Sequence, residues 1–264
     1  LKNAFCIGKN QLFYPSPYIG DMGDVRTVKA LKESVKRMEE LLETKPQIVA
    51  CDIHPSYNTR AAAEEMGLPV FLVQHHYAHI LSCMAENEWT TEKKVIGVSF
   101  DGTGYGTDGT IWGGEILLAD YDSFTRWGCI EPFAQTGGDA SAKEGWRIAV
   151  SLLGKIYGKE NALLIIETLG LCEPKLAKLQ FTMEERGINT VQSTSAGRLF
   201  DAVSAILDIR KSTTFEGEAS TSLQFAAEKW LNAQKKKIAG SEDFAESGII
   251  TDYGELKSIS DVAQ

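Results

Sequence analysis

The chain has 264 residues, of which 43% are hydrophobic and 24% are charged. This composition excludes disordered and fibrous proteins, and the length suffices for one large core or two lobes. The net charge of −9 argues against a nucleic-acid partner, because nucleic-acid binding requires a surplus of Lys and Arg. No apolar run approaches the roughly 20 residues that cross a bilayer, and the five cysteines include no C-x-x-C pair. We therefore expect a soluble, cytoplasmic protein without a membrane partner. Because the chain begins without Met, we also expect it to be a piece of a longer protein.

The first part of the chain predicts alternating strands and helices. Turn-forming residues 8–11 between two β-prone runs, 4–7 and 12–14, favour a hairpin. The strand at 48–51 is short and apolar, so we expect it to be parallel and buried, with a polar loop at its C-terminal end. The other predicted elements are helices at 24–42, 59–66 and 75–86 and a strand at 68–74. We expect the helix at 75–86 to be largely buried.

Three of the four histidines lie within five residues at the start of that last helix. His75 and His79 are one helical turn apart, so both imidazoles can reach a single ion. His76 points about 100° away and is interpreted as structural. The positive end of the helix dipole disfavours a further positive charge, which should help to keep His75 neutral. The alternative is that these are core histidines bonded to backbone groups.

From residue 94 the strand pattern starts again. Strands are predicted at 95–100, 111–121 and 127–133, with a Gly-rich loop at 101–110. Helices are then predicted at 142–157, 160–168, 174–186, 196–207 and 218–236, and residues 240–264 are polar and weakly patterned. A repeated opening of this kind indicates a duplicated ribonuclease-H-like α/β fold. We expect a first subdomain at 1–92 and, at 93–264, an incomplete second repeat with a helical insertion.

Asp101 ends the strand that should lie beside the histidine helix, which makes it the candidate third metal ligand, although it could only hold the turn. Imidazole and carboxylate ligands suit Fe, Zn or Mn. The loop at 101–110 is neither a Walker A sequence nor a dinucleotide fingerprint, but its amides could cradle phosphate, unless it is an ordinary flexible turn. A helix start after 137 adds further amides, and small residues after 195 would admit a flat ligand whose ribose Asp201 could bind. The candidate nucleotide-binding residues are Gly102, Thr103, Gly104, Gly106, Gly138, Asp139, Gly197 and Asp201.

The sequence contains several long motifs. They are Val73-Gln-His-His-Tyr-Ala-His-Ile80, Phe100-Asp-Gly-Thr-Gly-Tyr-Gly-Thr-Asp-Gly-Thr-Ile-Trp-Gly-Gly-Glu115, and the stretches 137–139, 197–203 and 215–219. Together these motifs resemble the hydrogenase maturation carbamoyltransferase family, HypF. The resemblance runs from the first residue to about residue 230 and concerns the C-terminal, Kae1-like domain of the family. It implies a duplicated fold of the actin, Hsp70 and sugar-kinase type, truncated before its last lobe.

The resemblance also implies a reaction and its participants. Carbamoyl phosphate and ATP would form carbamoyl-adenylate, and the carbamoyl group would pass to the C-terminal cysteine of a HypE-type maturation protein. It further implies that His75, His79 and Asp101 bind one metal ion, Fe or Zn. A further Asp ligand and the N-terminal modules of the family lie outside this sequence. No residue is assigned to activation of the acceptor thiol. The alternatives are a tRNA threonylcarbamoyl transferase, an O-carbamoyltransferase, or a non-catalytic lobe that docks a nucleotide or a partner.

Overall fold

The computed structural model describes residues 3–90 and 93–239 of the chain. These residues form a mixed α/β structure, as predicted, and none of their helices has both the length and the apolar character of a membrane span. The predicted polar end at 240–264 and the predicted subdomain boundary at residue 92 both lie outside the described residues. The strands are β1 (Cys6–Lys9), β2 (Leu12–Pro15), β3 (Val49–Asp52), β4 (Val70–Val73), β5 (Val95–Tyr105), β6 (Ile111–Ala119), β7 (Phe124–Cys129), β8 (Phe133–Thr136) and β9 (Thr190–Ser193). The helices are α1 (Val25–Leu41), α2 (Asn58–Glu64), α3 (His75–Glu86), α4 (Gly145–Tyr157), α5 (Lys159–Thr168), α6 (Pro174–Glu185), α7 (Ala196–Ile206) and α8 (Glu218–Ala239).

Residues 3–86 contain two small sheets. Strands β1 and β2 form the predicted hairpin, whose turn places Asn10 at a φ of +57°. Strands β3 and β4 pair in parallel with Asp52 opposite Val73, so both strand ends lie beside the start of α3. The expectation that the strand at 48–51 is buried was wrong, since Ile48 and Ala50 are exposed. Phe71 and Leu72 of β4 stay exposed, because within the described residues this sheet has only two strands.

The third sheet has five strands among the described residues, in the order β5-β6-β9-β8, with β7 also paired to β6. The prediction of a loop at 101–110 was wrong for its first half, since β5 continues to Tyr105. The pairing of β5 with β6 is interrupted between Phe100 and Gly104, so the intervening residues form a bulge. Only residues 106–110 make the turn to β6.

The remaining differences come from short elements. The third strand lies at Phe124–Cys129 and not at 127–133, and the four-residue strands β8 and β9 were not predicted. Helix α4 begins at Gly145, because residues Gly138–Ala142 form a short 3-10 helix of their own. Helices α4, α5 and α6 lie between β8 and β9 in the chain, which is the predicted helical insertion.

Helix α3 packs on the five-stranded sheet through one face only. Tyr77, Ile80 and Met84 are buried against residues of β6, among them Trp112 and Leu117. His79 and Glu86, on the opposite side of the helix, are exposed. The prediction that this helix is largely buried was therefore wrong. Gly97 of β5 allows the close contact, because a Cβ at that position would lie 2.3 Å from the Cδ1 atom of Ile80. Burial of a side chain the size of Ile80 contributes about 1.5–3 kcal/mol to the free energy of folding. The buried face therefore holds α3 in place on the sheet and sets the positions of its histidines.

Candidate metal and nucleotide site

The structure brings His75, His79 and Asp101 together. The Nε2 atom of His75 lies 3.0 Å from the Oδ2 atom of Asp101 and 3.3 Å from the Nε2 atom of His79. One ligand atom from each residue lies within 4.8 Å of the other two. Two imidazole nitrogens and a carboxylate oxygen form a donor set that suits Fe, Zn or Mn, so the three residues fit the ion that the sequence predicts.

Contacts at the start of α3 fix this geometry. Gln74 caps the helix by accepting a 2.9 Å hydrogen bond from the backbone N–H of Tyr77, and its amide donates to the carbonyl of Tyr105 at the end of β5. Gly104 lets the helix and the strand meet, because a Cβ there would lie 2.4 Å from the Cε1 atom of His76. His76 is completely buried, in keeping with a structural role, and this burial lowers its pKa to about 4.

Asp52 is a further site residue, to which the sequence analysis assigned no role. Its Oδ2 atom lies 3.0 Å from the Nδ1 atom of His75, and its Oδ1 atom accepts a 2.8 Å hydrogen bond from the backbone N–H of His54. Asp52 stands at the carboxyl end of a parallel strand beside β4. That position was the available signal, because ligand-binding side chains gather at the carboxyl ends of parallel strands.

Electrostatics differ from the sequence expectation for His75. Hydrogen bonds to Asp101 and then to Asp52 raise the pKa of His75 to about 9, despite its partial burial. Burial raises the pKa of both carboxyl groups, but hydrogen bonds from His75 and from backbone amides outweigh it and hold each pKa below its ordinary value. In the metal-free protein this direction is opposite to the expected neutral His75, because each of its ring nitrogens lies 3.0 Å from a carboxylate oxygen.

An aromatic cluster lies beside these carboxylates. The His54 and Tyr57 rings stack with their centroids 4.0 Å apart, and the Tyr105 ring meets His54 edge-on at 5.0 Å. Burial raises the pKa of Tyr57, and the charges of Asp52 and Asp101 add to this effect. The Tyr57 hydroxyl therefore stays protonated and can donate a hydrogen bond near the predicted metal ligands.

A cavity of about 400 Å³ opens near the bulge of β5. Thr103, Gly138 and Asp139, three of the eight predicted nucleotide-binding residues, line this cavity. Asn189 also lines it, with a φ of +48°, and was not predicted. The remaining lining residues are Ile111, Gln135, Ser141, Ala142, Gly187, Thr190 and Val191.

The other five predicted nucleotide-binding residues do not line the cavity, and most of them make close contacts inside the protein. These five are Gly102, Gly104, Gly106, Gly197 and Asp201. A Cβ on Gly197 would lie 2.8 Å from the Cα atom of Gly102, so Gly197 lets α7 approach β5, whereas a Cβ on Gly102 would meet only Arg198 at 3.5 Å. Gly104 accommodates His76, and a Cβ on Gly106 would lie 2.3 Å from the ring nitrogen of Trp112. Asp201 is buried and pairs with Arg198 at 3.1 Å, and burial raises the pKa of Asp201.

Glu115, the last residue of the quoted Gly-rich motif, is completely buried. One carboxylate oxygen accepts hydrogen bonds from the backbone amides of Gly113 and Gly114 and from the Thr194 hydroxyl, and the other accepts a 2.7 Å bond from Arg126. The Arg126 guanidinium also stacks on the Trp112 ring at 4.2 Å. Glu115 therefore holds β6, β7 and the segment before α7 together.

Two family models match this chain. "HypF Kae1-like domain" matches residues 1–86, and "Carbamoyltransferase, Kae1-like Domain, second subdomain" matches residues 97–257. The chain belongs to the HypF family. It is 36% identical over 233 residues to carbamoyltransferase HypF2 of Cupriavidus necator, covering 87% of this chain and 28% of that protein. A carbamoyltransferase HypF homolog of the same organism is 34% identical over 98% of this chain and 66% of its own length.

A solved structure of full-length HypF in a phosphate- and nucleotide-bound form superposes with a TM-score of 0.77. It is 36% identical and covers 84% of this chain, which in turn covers 29% of that protein. The Kae1-like fold class is thus confirmed, and HypF relatives are carbamoyltransferases by name. The chain spans about three tenths of the length of HypF2. The metal and nucleotide assignments stay predictions.

Proposed function

We propose that the chain carries out carbamoyl transfer in hydrogenase maturation. The donor would be carbamoyl-adenylate, made from carbamoyl phosphate and ATP, and the acceptor would be the C-terminal cysteine of a HypE-type protein. Membership of the HypF family supports this reaction. The single observation that carries it is the convergence of His75, His79 and Asp101 on one point.

Each part of the site has a role in this proposal. His75, His79 and Asp101 would hold one Fe or Zn ion, which when bound supplies a Lewis acid for a carbonyl or phosphate oxygen. The cavity lined by Thr103 and Asp139 would hold the nucleotide portion of the donor. The acceptor thiolate attacks the carbamoyl carbon, the bond from that carbon to the phosphate oxygen breaks, and AMP leaves with the electron pair. The thiol proton passes to solvent before the attack.

The proposal extends to the surroundings of the domain. Modules like those N-terminal to this domain in the HypF family would supply the adenylate, and the reaction would take place in the cytoplasm. A net charge of −9 fits a small-molecule donor and a protein acceptor better than RNA.

Substitution of His79 tests the function. The chain and its His79→Ala variant would be measured for bound metal by elemental analysis. Both would then be supplied with preformed carbamoyl-adenylate and a peptide that ends in cysteine, and carbamoylation would be read by mass spectrometry. We expect His79→Ala to lose metal and transfer together. Ser82→Ala is the matched control, since Ser82 lies on the same exposed side of α3 and should change neither result.

Three results would contradict parts of the proposal. Full metal occupancy in His79→Ala would remove the ligand assignment. Carbamoylation of a hydroxyl acceptor in preference to the thiol would favour an O-carbamoyltransferase. Metal binding without transfer, while the HypE-type protein is still captured, would favour the non-catalytic docking role.

A further inference from the structure

Asp52 and His75 meet because the parallel strands β3 and β4 end side by side. Asp52 is opposite Val73 in the register, and His75 follows Val73 by two residues. The side chain of Asp52 is 17% exposed and that of His75 is 36% exposed, so their 3.0 Å contact is partly shielded from water. The backbone N–H of His54 holds the second carboxylate oxygen of Asp52 at 2.8 Å. The carboxylate is therefore oriented from both sides.

The contacts of the His75 ring distinguish its two nitrogens. The Nε2 atom faces Asp101 and His79, the other two predicted ligands. The Nδ1 atom faces Asp52, which is not a predicted ligand. An imidazole that binds a metal through one nitrogen keeps a proton on the other, and a carboxylate that accepts this N–H fixes the tautomer and the ring orientation.

We propose that Asp52 is a positioning residue for His75. It accepts the Nδ1–H group of His75 and thereby leaves Nε2 directed at the point shared with His79 and Asp101. The inference rests on the proposed metal site and adds a residue that touches neither the ion nor the substrate. Loss of such a partner typically weakens metal binding by about 10–100-fold.

The first experiment measures zinc affinity by competition with a coloured chelator. We expect Asp52→Asn to bind zinc about 10–100-fold more weakly than the wild type. Asp122→Asn, the same change in the exposed turn between β6 and β7, should leave the affinity unchanged. Thermal unfolding of the metal-free variants separates a loss of fold from a loss of affinity. A folded Asp52→Asn variant with wild-type zinc affinity overturns the inference, while the metal site itself stands.

A second measurement needs no variant. In the zinc-loaded wild type, ¹⁵N NMR of the His75 ring should show a protonated Nδ1 atom and a zinc-bound Nε2 atom. Zinc bound through Nδ1 overturns the role of Asp52 even if the three-residue site is correct. A wild-type chain that binds no zinc overturns the proposed site and the role of Asp52 together.

Discussion

Replacement of Glu115 by alanine tests whether one buried carboxylate organises the Gly-rich motif. The side chain is completely buried and accepts hydrogen bonds from two buried backbone amides, the Thr194 hydroxyl and the Arg126 guanidinium. Each buried donor left without an acceptor costs about 1–3 kcal/mol. Arg126 loses less, because it is partly exposed and keeps an ion pair with Asp108 at 3.2 Å. The two hydrogen bonds from the backbone amides are long, at 3.2 and 3.3 Å, so the cost of losing each one lies at the lower end of this range. We expect a total loss of about 3–5 kcal/mol, as for a broken buried ion pair.

The assay is urea unfolding of the metal-free protein, with the free energy taken from the midpoint and the slope. Glu131→Ala is the matched control, because Glu131 also pairs with a cation, Lys155 at 2.6 Å, but is 80% exposed. An exposed pair contributes about 0–1 kcal/mol. Equal losses for the two variants would refute the reasoning, since burial would then make no difference to the carboxylate.

Three further predictions concern the site. Gly104→Ala should lower the free energy of unfolding by about 1–3 kcal/mol and weaken zinc binding, because the new Cβ would overlap His76 and push α3 outward. Urea unfolding measures the first effect, and competition with a chelator measures the second. Asn189→Ala should weaken ATP binding in calorimetry, because this side chain lines the cavity beside the bulge. Near neutral pH, zinc binding should release about one proton, because the pKa of His75 is about 9 without metal and the ligand must be deprotonated.

Each of these predictions has a control. Gly128→Ala is the control for Gly104→Ala and should change neither stability nor zinc affinity, because the atom nearest to its new Cβ lies at 3.7 Å, an ordinary contact distance. Asn161→Ala, on the exposed surface of α5, should leave ATP binding unchanged. Proton release is measured by calorimetry in buffers of different ionisation enthalpy. If His75→Ala released as many protons as the wild type on binding zinc, the assignment of the proton to His75 would be contradicted. Equal effects of Gly104→Ala and Gly128→Ala, or of Asn189→Ala and Asn161→Ala, would contradict the corresponding prediction.

The sequence by itself determined the features that depend on neighbours in the chain. Helical periodicity placed His75 and His79 on one side of α3 and turned His76 away, since residues four apart in a helix share a face. Turn chemistry at 8–11 predicted the first hairpin, and long local motifs identified the family. The strand before Asp101 was likewise predicted, at 95–100, and β5 begins at Val95.

Only the tertiary structure decided the features that depend on distant pairing. Asp52 reaches His75 because β3 pairs with β4, and the short strands β8 and β9 exist because they pair with each other across the helical insertion. The glycines show the limit most clearly. A missing side chain serves a bound phosphate and a closely packed helix equally well, so the sequence could not separate the two uses. A Cβ on Gly197 would lie too close to β5 and a Cβ on Gly104 too close to α3, so these two glycines allow close packing, while Thr103 lines the cavity.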